Sequence, residues 1–160
     1  MRRFGQVGIA ISALGIIVAL MGLFPQLTGF PPTPGIGLVQ ILMLLVGQSL
    51  LMQGAIIYIK TTFYWGVPIT LAQSIGLRLC YTGILFASLA GLADILGFGS
   101  HPRSVRSDLY FGTLQALGII LSFVISAVGV LLYAVAGKPA EEASSPTPTL
   151  DETLSQIDGG

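Results

Sequence analysis

Residues 5–22 read GQVGIAISALGIIVALMG, and their small residues Gly5, Gly8, Ser12, Gly15, Ala19 and Gly22 recur at spacings of 3, 4, 3, 4 and 3. This heptad-like rhythm holds all six on one stripe of a helix. Lipid tails are as apolar as leucine, so helices in a bilayer associate through close van der Waals packing, which small residues permit. The stretch therefore predicts a membrane-spanning helix with one face shaped for a neighbour.

Runs of about 20 apolar residues, the length that crosses a hydrocarbon core of roughly 30 Å, occur four times. They lie near 5–24, 38–59, 71–97 and 109–136. The first follows Met1-Arg2-Arg3 but is too long for a signal-peptide core, and no A-x-A site follows it, so it is read as a retained helix. Pro25 closes it, and Phe30-Pro31-Pro32-Thr33-Pro34-Gly35 makes a stiff, uncharged connection. The third and fourth runs exceed what the bilayer needs and are expected to tilt or project beyond it.

Composition agrees with this reading. Of 160 residues, 53% are hydrophobic and 21 are glycine, whereas only 9% are charged, against about 25% in soluble domains. An ordinary water-soluble domain is excluded, because the chain has too little polar surface to cover one. The fold class expected is all-α: an integral membrane four-helix bundle over residues 1–137, followed by a disordered acidic tail over 138–160.

The small-residue device recurs in the third span at Gly76, Cys80, Gly83, Ala87, Ala90 and Asp94. The fourth span offers Gly118, Ser122, Ser126 and Gly129, and the second offers Gln40, Gly47 and Gly54. A shift of 68 residues lays Gly8, Ser12, Gly15, Ala19 and Gly22 onto Gly76, Cys80, Gly83, Ala87 and Ala90. A shift of 75 lays residues 37–42 onto 112–117 and Tyr58 onto Tyr133. The chain thus reads as two duplicated helical hairpins, although Gly- and Ala-rich helices also align by composition alone.

A formal net charge of zero hides two opposite regions. Up to residue 137, Arg2, Arg3, Lys60, Arg78, Arg103 and Arg106 outweigh Asp94 and Asp108. Beyond it, Glu141, Glu142, Asp151, Glu152 and Asp158 outweigh Lys138. Placing Arg2, Arg3, Lys60, Arg78 and Lys138 inside, with Arg103 and Arg106 outside, puts both termini in the cytoplasm and the chain in the cell (inner) membrane. Tyr58, Phe63, Tyr64 and Trp65 then form an inner aromatic belt, and Phe24, Phe30, Phe98, Tyr110 and Phe111 an outer one. The Pro- and Ser-rich tail cannot bury enough apolar area to order itself. Within it, Leu150, Leu154 and Ile157 behind Thr149 have the spacing of a short helix that docks on a partner.

Groups that could carry chemistry are few. Arg78 and Asp94 are the ionisable acid and base within the spans, roughly 24 Å apart along a helix, too far to pair. Arg78 reads as a residue snorkelling to the inner headgroups. Asp94 reads as a partner for Arg103, Arg106 or a helix end, or as an ion, proton or partner site. His101 offers a pH-sensing outer loop or a plain solvated side chain. One cysteine and one histidine exclude an intrachain disulfide, a zinc site of several Cys or His ligands, and bis-histidine haem. Gln40, Gln48, Gln53, Gln73 and Gln115 can bond between helices, each contributing about 1 kcal/mol or less.

No catalytic, metal or cofactor set follows, and no basic patch suits nucleic acid. The function expected is a non-enzymatic structural or accessory subunit of a larger membrane assembly. Its partners would be membrane lipids and other membrane subunits or copies of itself. The alternative is a homo-oligomeric channel or small transporter using Asp94 and the outer-loop cations. Bound lipid is expected, and a pigment or quinone held between apolar walls stays open.

Overall fold

The structure is a computed structural model and describes residues 2–29, 37–93, 95–97 and 113–137. Among these there are four α-helices and no strand: α1 Arg2–Leu23, α2 Leu38–Phe63, α3 Leu71–Gly91 and α4 Thr113–Val135. All four are long and apolar enough to cross a membrane, which makes the chain a multi-pass membrane protein. Pro25 stops α1 and opens a 3-10 turn over Pro25–Thr28, which ends on Gly29 in the left-handed region.

The bundle is two hairpins, each packed backbone to backbone. In α1 and α2, a Cβ added to Gly8 would stand 2.7 Å from Tyr58 N and 2.9 Å from Gly54 O. One added to Gly15 would stand 2.7 Å from Gly47 O, and one on Gly22 would stand 2.8 Å from Gln40 O. The stripe of α1 therefore lies on the seven-residue repeat Gln40, Gly47 and Gly54 of α2. The second hairpin has the same register: a Cβ added to Gly76 would stand 2.8 Å from Tyr133 N and 2.7 Å from Gly129 O, and one added to Gly83 would stand 2.7 Å from Ser122 O and 2.8 Å from Ser126 N. Adding 68 to the α1 numbers and 75 to the α2 numbers converts the contacts at Gly8 and Gly15 into those at Gly76 and Gly83.

Between the hairpins the packing is of another kind. α2 is the helix of the first hairpin that lies along both α3 and α4, and it meets them through side chains. Ile41, Leu45 and Ala87 form the buried cluster, flanked by Leu92 and Phe123, and Gly91 sits against Ile41 and Leu45. Large apolar side chains cover the outer sides of α1, α3 and α4, as a lipid-immersed bundle requires.

Two boundaries differ from the sequence reading. α2 continues through Lys60, Thr61 and Thr62 to Phe63, because their polar groups stay within the helix or just beyond it. Thr61 Oγ1 donates to Ile57 O at 2.8 Å, and Lys60 Nζ donates to Val67 O at 2.5 Å. α3 stops at Gly91 and does not reach residue 97. Ile95 N turns back to Leu92 O, and Gly91 O is taken instead by Gln115 Nε2 of α4 at 3.3 Å. α3 has 21 residues and α4 has 23, so neither overruns the bilayer by much.

Candidate functional site

Helix ends in a membrane leave main-chain carbonyls that need donors. At the α2–α3 connection these donors are side chains. Gly66, with φ of 76°, reverses the chain after α2, and Thr70 then caps α3. Gln73 N donates to Thr70 Oγ1 and Thr70 N donates to Gln73 Oε1, each at 3.2 Å, a reciprocal capping box. The same residues reach across to the last turn of α4. Gln73 Nε2 donates to Tyr133 O at 3.3 Å, Tyr64 Oη to Ala134 O at 2.5 Å, and Thr70 Oγ1 to Ala136 O at 2.9 Å. The Tyr64 ring lies on Gly137, where any side chain would fall onto it. Trp65 stacks on Phe4 of α1 with ring centroids 5.5 Å apart. One short connection therefore fastens both hairpins at this end of the bundle.

Deeper in the bundle, Ser12 Oγ donates to Leu51 O at 3.4 Å within the first hairpin. Ser126 Oγ donates to Cys80 O at 3.2 Å within the second. Cys80 is fully buried there as a small packing residue. Gln48 stands apart, because its Nε2 is buried without a hydrogen-bond partner among the described residues. It shares the side of α2 that carries Ile41, Leu45 and Met52, so it lies in the seam between the hairpins and is only 8% exposed. An unpartnered buried amide costs about 1–3 kcal/mol. Gln48→Met is therefore expected to raise stability by about 1 kcal/mol. A higher midpoint in a denaturing-detergent titration checks it, and an unchanged or lower midpoint would contradict it.

The residues singled out in the sequence separate into three groups. Gly8, Ser12, Gly15, Ala19 and Gly22 line the α1–α2 contact, and Gly76, Gly83, Ala87 and Ala90 belong to the α3 face turned to α4 and α2. These stripes are used in packing within the chain. Arg78 is exposed on the outer side of α3. Asp94, His101, Arg103, Arg106 and the tail residues Leu150, Leu154 and Ile157 lie outside the described residues, as does the whole 138–160 segment.

Sequence reasoning treated Tyr64 as a belt residue and missed Thr70, whose signal was the Thr-x-x-Gln box ahead of an apolar run. Every side-chain hydrogen bond named above has a main-chain partner, and no group of three potential metal ligands occurs among the described residues. The arrangement holds helices in place. Compared with protein-family models, curated proteins and solved structures, the chain matches none.

Proposed function

We propose that the chain is a non-enzymatic structural or accessory subunit of a larger membrane assembly, in the cell (inner) membrane with both termini in the cytoplasm. The observation that carries this reading is the use made of the polar side chains. Tyr64, Thr70, Gln73, Gln115, Ser12 and Ser126 bond to helix main chain. Groups that could have formed a relay or a catalytic pair serve the architecture instead.

Because the small stripes are consumed inside the chain, contact with neighbours falls to other surfaces. α1 leans chiefly on α2, and its outer side presents Val7, Leu14, Ile17 and Leu20. The acidic segment 138–160 follows Gly137, which is held against Tyr64, and Leu150, Leu154 and Ile157 would be its docking face. The shared register of the two hairpins further supports an origin by duplication of one ancestral hairpin.

Deleting residues 138–160 tests the docking role. The full chain, isolated in mild detergent, is expected to bring other membrane proteins with it, and the shortened chain to lose some of them. Identical sets of co-purifying proteins from the two chains would contradict that role.

A further inference from the structure

The described part of the chain contains no Asp or Glu, yet it carries cations. Lys60 Nζ donates to Val67 O at 2.5 Å. Arg78 has no ion pair and no side-chain hydrogen bond among the described residues, and only its carbonyl is engaged, accepting from Thr82 Oγ1 at 2.8 Å. It stands seven residues after Leu71, about 10 Å into α3. Gly76, Cys80, Gly83 and Ala87 turn the opposite side of α3 into the bundle, so Arg78 shares the outward side with Leu71, Ile75, Leu85 and Leu89. This is the surface that touches lipid. Ser74, one turn before, and Tyr81, one turn after, add hydroxyls with no partner among the described residues. The Lys60 and Trp65 end of the bundle, from which α3 enters, is the nearer interface.

We propose that Arg78 binds the phosphate of an anionic glycerophospholipid on the outer side of α3. A guanidinium offers a planar fork of donors that matches two phosphate oxygens, and its long stem reaches from this shallow depth toward the headgroups. Ile75 and Leu85 flank it with apolar surface for the acyl chains, which a free phosphate could not use. Lys60 adds a second positive charge at this end of the bundle, and a headgroup carrying its own cation is bound less well than an anionic one. This site is independent of the subunit reading.

The test uses the full chain in detergent micelles supplied with equal amounts of phosphatidylglycerol and phosphatidylcholine, with retained lipid read by native mass spectrometry. The wild type is expected to keep phosphatidylglycerol in about fivefold preference, the effect of one cation near a headgroup. Arg78→Gln is expected to bring the ratio close to one, and Arg78→Lys to keep part of it, since an ammonium keeps the charge without the fork. Unchanged elution and helical content in both variants would show that the bundle persists. An unaltered preference in Arg78→Gln would overturn the proposal, as would stripping of the lipid by inorganic phosphate. Loss of a co-purifying protein with lipid retention intact would also overturn it, assigning Arg78 to a protein carboxylate.

Discussion

Replacing Gly15 by leucine forces α1 away from α2. Even a single Cβ at Gly15 would meet Gly47 O at 2.7 Å and fall against the main chain of Leu51. Main chain in the middle of a helix has no alternative rotamer, so relief requires the helices to separate, and the contacts at Gly8 and Gly22 are lost with it. Overpacking typically costs about 1–3 kcal/mol, and a whole interface lost in this way lies at or above the top of that range. Gly5→Ala should be mild by comparison, because its nearest neighbour is the movable Thr62 hydroxyl at 3.2 Å.

Gly83→Leu repeats the insult in the second hairpin, where Ser122 O and Ser126 N line the contact. The chain's one cysteine reports which hairpin has opened, since Cys80 is fully buried between α3 and α4. Maleimide labelling of Cys80 is expected to become rapid in Gly83→Leu and to stay slow in Gly15→Leu. Equal labelling in the two variants would contradict the separateness of the hairpins.

Removing the Tyr64 side chain should have the next largest effect. Its ring is 7% exposed against Gly137, and its hydroxyl holds Ala134 O. Truncating a buried aromatic costs about 3–5 kcal/mol in cores, and Tyr64→Ala is expected near the lower end because this site borders the interface. Tyr64→Phe keeps the ring and loses one hydrogen bond, which costs about 1 kcal/mol. Midpoints of denaturing-detergent titrations for the two variants separate packing from hydrogen bonding. Equal midpoints would mean that the ring contributes nothing, against the fastening role of residues 64–70.

Much of this architecture was legible in spacing. The 3-4 rhythm of α1 and α3 identified the faces that pack, and the seven-residue repeat Gln40, Gly47 and Gly54 identified the face that receives α1. Pro25 marked where α1 stops. Boundaries set by tertiary hydrogen bonds were not legible. The apolar run through Leu96 gives no hint that Gln115 captures Gly91 O and ends α3 early, and the polar Lys60-Thr61-Thr62 looked like a terminus while remaining helical.

The polar side chains divide in the same way. Arg78 could be placed on the lipid side from its angle to Gly76 and Gly83. The reach of Tyr64 onto α4 depends on where the two hairpins sit, and that of Gln73 and Thr70 on how α3 pairs with α4, which no local pattern encodes. Gln48 shows the opposite case, with a buried Nε2 that finds no partner among the described residues.

The subunit reading concerns the company the chain keeps in its membrane. The most direct test is the mass of the particle that carries the intact chain, extracted into native nanodiscs without detergent. A particle whose protein mass clearly exceeds one chain of 16.7 kDa, through other subunits or further copies, is the result expected. A particle holding a single chain and lipid alone would contradict it.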